Sequence, residues 1–347
     1  VTRRPIGYYV HHHGAGHRTR ANAIVAAMDW PVTLLGTGIG DAGIDLCDDR
    51  PCDNGFDGID NAATRPDCLH YAPIDHEGVR RRIARMAQWI ADHRPALLVV
   101  DVSVEIAMLA RLASVPTIYV RLNGDRGDAA HCDAFRGADA LLAPFHQALE
   151  LPSTPMWVRE KTCYFPGIAS VLSLDVPNTS RVLVVMGRGG PPGDGDRIAL
   201  AARACPDLQW RVIGPVTPPS NRPSNLDLAG WVEDPMREIA QAAIIIGAAG
   251  DGLVGAVIAA DKPFICLPED RPYDEQRATA QRLDALGAAV VLRNWPSVDQ
   301  WPTLIRKAQA IPSSVRMALN DHNGAQRAGQ WLTRRAANAT GTLEKVA

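Results

Sequence analysis

Residues 247–289 read GAAGDGLVGAVIAADKPFICLPEDRPYDEQRATAQRLDALGAA. Ile244, Ile245 and Ile246 precede them, an apolar run short enough for a buried strand. Gly247, Gly250 and Gly252 then turn the chain without bulky side chains, and residues 252–260 read as a helix. Backbone N–H groups at such a helix start are open to an anion. Pro263 leads into a strand at 264–267, a helix follows over 273–286, and another strand lies at 289–292. Strand, glycine-rich turn and helix in repetition is the grammar of a parallel sheet with helices on both faces.

The same grammar extends upstream. A strand at 182–186 runs into Gly187-Arg188-Gly189-Gly190, a turn whose amides can approach a phosphate while Arg188 supplies a forked donor. A strand at 208–213 and helices at 197–204, 236–241 and 301–310 complete that half, and the terminal segment is helical and amphipathic up to Ala337. Residues 166–180, rich in Pro, Gly, Ser and Asn, read as a linker. The first half carries strands at 6–12, 32–35, 96–100, 117–120 and 140–143, with helices at 18–28, 77–93 and 103–113. Residues 36–76 form a long polar stretch. The expected architecture is α/β: two Rossmann-like, doubly wound domains facing across a cleft, with ligands at the carboxyl ends of the strands. Residues 1–165 form the first domain, 166–180 the linker, 181–320 the second domain, and 321–347 a helix packing back toward the first.

Composition excludes several classes. A chain of 347 residues suggests about two domains. A net charge of −2 argues against duplex nucleic acid as partner. No apolar run approaches the ~18 residues of a membrane span, and residues 6–10 are too short for a signal-peptide core. Cys47, Cys52, Cys68 and His70 fit no common zinc spacing, so the seven cysteines read as reduced thiols of a cytoplasmic protein with no metal. On helix 77–93, Val79, Ile83, Met86 and Ile90 form the apolar stripe. Arg80, Arg81, Arg82 and Arg85 lie mostly off it, either as a solvated face or as a patch for an anionic acceptor or a membrane surface. Asp41, Asp45, Asp48, Asp49, Asp53, Asp57 and Asp60 in the polar stretch instead suit a cationic acceptor.

The first glycine-rich turn, Gly14-Ala15-Gly16-His17, follows a strand and opens a helix. It is no dinucleotide fingerprint: Thr19 stands where the third glycine belongs, and no acid follows the second strand. It presents His17 at a helix N-terminus, where the dipole favours a neutral imidazole able to act as a base. Asp101 ends the apolar run Leu97–Val100 and could orient His17; the alternative is a helix N-cap. Glu105 lies one turn further on.

Residues 247–289 resemble the donor-binding segment of GT-B nucleotide-sugar glycosyltransferases of the MurG-like kind (the family 28 C-terminal domain type) and of the plant-type enzymes. Gly230-Trp231-Val232-Glu233-Asp234-Pro235-Met236 is similar to their base-binding segment, and Gly14-Ala15-Gly16-His17 to their G-x-G-H loop. The resemblance implies an inverting transfer, without a metal or other cofactor, from a nucleoside-diphosphate sugar (UDP first) to the hydroxyl or amine of a small or lipid-linked acceptor. His17 and Asp101 would be catalytic. Gly187, Arg188 and Gly189, with Gly250, Asp251 and Gly252, would face the diphosphate; Trp231, Val232 and Met236 the base; Glu275 and Gln276 the sugar. Gly14, Gly16, Glu105 and His131 fall to the acceptor side. The chain departs from the pattern at Ala256, where relatives place a ribose-binding glutamate, at Ala248 and Leu253, and at Asp261, where many have glycine. A nucleotide-sugar hydrolase, favoured by Gly16-His17-x-x-Arg20, an epimerase and a non-catalytic binder are the alternatives.

Overall fold

The computed structural model describes residues 3–12, 15–50, 65–168, 179–187 and 190–341. Seven parallel strands build the first sheet: β1 (Ile6–Tyr9), β2 (Val32–Gly36), β3 (Gly43–Asp45), β4 (Leu97–Asp101), β5 (Thr117–Val120), β6 (Ala140–Ala143) and β7 (Thr162–Tyr164). Their order is β3-β2-β1-β4-β5-β6-β7. Helices α1 (Ala15–Ala26), α2 (Glu77–His93), α3 (Val104–Leu112), α4 (Ala129–Gly137) and α5 (Met156–Lys161) cover it. The six-stranded second sheet, also parallel, has the order β10-β9-β8-β11-β12-β13. Its strands are β8 (Arg181–Val185), β9 (Gln209–Ile213), β10 (Leu226–Gly230), β11 (Ile244–Gly247), β12 (Phe264–Cys266) and β13 (Val290–Val291). Around it lie α6 (Gly195–Ala204), α7 (Pro235–Gln241), α8 (Asp251–Ala259), α9 (Glu275–Ala285), α10 (Trp301–Gln309) and α11 (Ser313–Met317); α12 (Gly324–Ala339) follows.

The central strands are buried on both faces, which is why they read as unbroken apolar runs rather than alternating ones. Each sheet starts at an interior strand, third in its order, winds outward to one edge, then returns to build the other side. The reversal falls between β1 and β4 in one sheet and between β8 and β11 in the other. At these switch points the loops after neighbouring strands diverge and leave a crevice.

Helix α12 returns to the first sheet. Ala328, Leu332 and Ala336 share a core with Ile6, Tyr8 and Ile24, and a Cβ on Gly329 would meet the Ala27 carbonyl oxygen at 2.9 Å. Phe145 and Leu149, just beyond β6, join the core of the second sheet beside Val254 and Leu283. The two halves therefore share apolar surface as well as chain crossings.

Several sequence expectations need correction. The first strand stops at Tyr9, so His11 and His12 lie beyond it. The polar stretch 36–76 contains the edge strand β3, too short and polar to give a signal. Helix α4 and strands β7 and β10 carry no decisive periodicity and are found only in the fold. Arg82 is buried, not part of a solvated face: its guanidinium bonds the Tyr9 hydroxyl and the Cys47 carbonyl. Arg80 and Arg81 pair with Asp75 and Glu77, which removes much of the expected basic patch. Three of the acidic residues have internal partners: Asp45 accepts from the Ile39 amide, Asp48 pairs with Arg50 and Asp49 with Arg82. Asp53, Asp57, Asp60 and Cys52 lie outside the described residues, as do residues 169–178 of the expected linker. The six described cysteines are free thiols.

Candidate active site

His17, in the first turn of α1, and Asp101, the last residue of β4, meet at the first switch point. His17 Nδ1 lies 2.9 Å from Asp101 Oδ2. The backbone explains why this carboxylate is free. Val102 adopts φ +54°, a strained conformation for a β-branched residue, and turns the chain off the strand. Ser103, one residue later, then caps α3 by accepting from the Ile106 amide. Asp101 is thus not the cap that the sequence allowed.

A third group completes the cluster. Arg20 Nη2 donates to both oxygens of Asp101, at 2.9 and 3.0 Å, and stands 2.9 Å from His17 Nδ1. Asp101 is fully buried. Burial pushes its carboxyl up, but Arg20 and then His17 outweigh burial and hold it down at about 2. His17 Nδ1 thus lies within hydrogen-bond distance of both a carboxylate oxygen and a guanidinium nitrogen; in the tautomer that donates Nδ1–H to Asp101, Nε2 keeps the lone pair a base needs. The sequence did not show Arg20 as this partner; its place three residues after His17, one helical turn on, was the signal.

The second switch point faces the first. Gly187 follows β8, and Gly250, Asp251 and Gly252 form the start of α8 after β11. Cβ atoms built at Gly187 or Gly252 would meet nothing within 4 Å, so the backbone is open to a ligand. Gly14, Arg188 and Gly189 lie outside the described residues. Gly16 is exposed at the start of α1. Trp231, 58% exposed, stands just past the end of β10. Val232 and Met236 pack against the core below. Burial raises the pKa of the Asp251 carboxyl. Glu275, at the start of α9, is pushed up to about 7 by burial and by the neighbouring Asp251. Both carboxyls feel the charges of His17 and Arg20, which ties the two switch points together electrostatically.

Other expected ligands prove to be supports. Gln276 is buried, and its Oε1 accepts from the amides of Ala249 and Glu269, fixing the glycine turn rather than reaching into the cleft. Glu105 Oε1 accepts from the amides of His70 and Tyr71, at 2.6 and 2.8 Å, anchoring that loop. His131 is buried with Nδ1 on Asp128 and Nε2 3.2 Å from Arg126. It therefore supports a wall instead of offering a nitrogen to an acceptor.

Arg126 and Tyr273, absent from the sequence reading, build that wall. The Arg126 guanidinium lies 4.8 Å above the Tyr273 ring and 3.2 Å from Glu275 Oε2. Gly124, at φ +113°, makes the approach possible, since a Cβ there would sit 2.6 Å from the Tyr273 carbonyl oxygen. Nothing in the sequence pairs residues this far apart. Elsewhere, His12, Asp48 and Asp49 bring nitrogen and oxygen atoms within 4.8 Å of one another, but Arg50 and Arg82 already neutralise the two carboxylates.

No family model and no curated protein matches the sequence. Among solved structures the chain is similar to UGT89C1 of Arabidopsis thaliana complexed with quercetin, at 13% identity and a TM-score of 0.69, over 96% of this chain and 100% of that one. It is similar to MurG of Acinetobacter baumannii, at 15% identity and a TM-score of 0.63, over 95% and 99%. It also resembles the UDP-GlcNAc 2-epimerase of Methanocaldococcus jannaschii, at 11% identity and a TM-score of 0.57, over 95% and 99%. These likenesses, spanning both sheets, establish that the chain has the GT-B fold, two parallel α/β domains facing across a cleft.

Proposed function

We propose that the protein transfers a sugar from a nucleoside diphosphate, with UDP-sugars the first candidates, to an acceptor hydroxyl or amine. The observation that carries this reading is the His17–Asp101 pair at one switch point, facing the open glycine backbone of the other. His17 Nε2 takes the proton of the acceptor as its heteroatom attacks the anomeric carbon, and Asp101 holds the ring in that tautomer. The leaving diphosphate is received by the amides of the α8 N-terminus and the turn at 187–190. Asp251, when protonated, donates to a phosphoryl oxygen there. Arg188 adds the charge that makes a metal unnecessary. A base on one face of the sugar and a leaving group on the other gives inversion at the anomeric carbon. Closure of the cleft protects the donor from water.

The free thiols support a cytoplasmic setting. Among the described residues, no helix is long and apolar enough to cross a membrane.

The test is a panel of nucleotide-sugars incubated with and without candidate acceptors, with free nucleoside diphosphate quantified. Acceptor-dependent release supports transfer. Release at full rate without acceptor assigns His17 to water and makes the protein a hydrolase. Absence of binding to every nucleoside diphosphate in a thermal-shift screen overturns the reading.

A further inference from the structure

We propose that Arg20 is a positioning residue that sets the proton affinity of His17 by cancelling the field of Asp101. In a bare His–Asp pair, the carboxylate both orients the ring and draws a proton onto it, because it stabilises the imidazolium. Here the two effects are separated. The contact from Nδ1 to Asp101 Oδ2, at 2.9 Å, keeps the orientation. The guanidinium, also 2.9 Å from Nδ1 and bonded to both carboxylate oxygens, brings one positive charge as near the ring as the negative one. Arg20 and Asp101 are both buried, so solvent screens neither field. The result is an imidazole oriented by a carboxylate and flanked by a guanidinium at the same distance.

The other groups facing His17 do not restore the lost negative field. From the segment after β1, the His11 ring meets it edge-on at 5.3 Å between centroids. Asp251 of α8 and Glu275 of α9 face it across the cleft, but burial raises the pKa of both carboxyls and weakens the charge they present. The Tyr8 phenol, beneath Arg20 and Asp101, is fully buried, and burial raises its pKa, so it stays neutral.

The inference rests on the base role proposed for His17, but its readout does not. The ring resonances of His17, identified by their loss in His17→Ala, are titrated by NMR in the wild type, Arg20→Gln, Asp101→Asn and the double variant. In Arg20→Gln the protonation midpoint should rise by about one pH unit or more, the effect of an uncancelled charge at this distance. The acidic limb of the pH–rate profile should move with it, while Arg20→Lys, which keeps the charge, should restore the wild-type midpoint. An Arg20→Gln midpoint equal to the wild type overturns the proposal. If that variant does not fold, the double variant decides: it should titrate above Asp101→Asn, and coincidence of the two overturns the proposal equally. A shifted midpoint in a protein that turns over no nucleotide-sugar leaves Arg20 in this role and sinks the transferase reading instead.

Discussion

The Tyr273 hydroxyl lies 2.5 Å from His70 Nδ1, joining the donor-side loop before α9 to the polar stretch of the first half. The same ring meets His131 edge-on, with centroids 4.7 Å apart, and lies under Arg126. Burial lowers the pKa of His70, which favours a neutral ring able to accept a hydrogen bond from the phenol. The contact is a latch across the cleft, and Tyr273 and Asp274 pay for it with left-handed backbone, at φ 60° and 50°.

Removing the latch should loosen the cleft without unfolding either sheet. Tyr273→Phe loses one hydrogen bond, worth about 1 kcal/mol. Tyr273→Ala loses the ring contacts too and should enlarge the radius of gyration in small-angle scattering. A Tyr273→Ala protein with unchanged scattering and unchanged melting temperature would show that the contact holds nothing together.

His17→Ala should abolish turnover and leave nucleoside-diphosphate binding intact, since His17 lies opposite the glycine turns. Asp101→Asn should be the less stable of the two variants. It leaves the buried Arg20 without its counter-charge, a loss of about 3–5 kcal/mol for a broken buried pair. Urea denaturation of both variants checks the order; the reverse order would argue that Arg20 finds compensation elsewhere.

Glu275 should make the protein less stable as pH rises. Its carboxyl ionises at 4.5 when exposed but is held protonated up to about 7 in the fold. The folded state therefore binds the extra proton between these values, and stability from this group is full below 4.5 and lost as pH passes through 7. The loss is roughly 2–3 kcal/mol by linkage. His131 works the other way: burial and Arg126 depress it from 6.5 to about 4, so its contribution is lost as pH falls through that window. Denaturation from pH 4 to 8 is therefore compared with Glu275→Gln, which should remove the decline between pH 4.5 and 7. Parallel curves for the two proteins would contradict the buried, proton-holding Glu275.

Asp261 occupies a left-handed position, φ 49°, after α8, a conformation that favours glycine. In this chain its carboxylate pairs with the buried Arg316 at 2.8 Å. Asp261→Gly relieves ~1 kcal/mol of backbone strain but strands a buried guanidinium, a larger cost. The variant should lose about 1–2 kcal/mol in urea denaturation, discounted because Asp261 is partly exposed; a gain in stability would mean that strain outweighs the pair.

The sequence by itself determined the class of fold. Short apolar runs such as Leu97–Val100 and Ile244–Ile246, bounded by turn residues, read as strands buried on both faces, and glycine turns between them and helices favour a parallel sheet as the packing solution. It also marked His17 and Asp101, because each sits at a strand-to-helix junction where side chains point into a crevice. Edge strands β3 and β7 escaped, being too short to show a period. Only the tertiary structure decided the partners. Asp101 becomes a ligand of Arg20 and His17, not a cap, because Val102 twists the backbone out of line. Gln276, Glu105 and His131 turn inward because buried amides and charges must be satisfied, and local sequence does not say where those groups lie. Arg126 and Tyr273 meet across 147 residues of chain for the same reason: burial and charge act through space, while motifs run along the sequence.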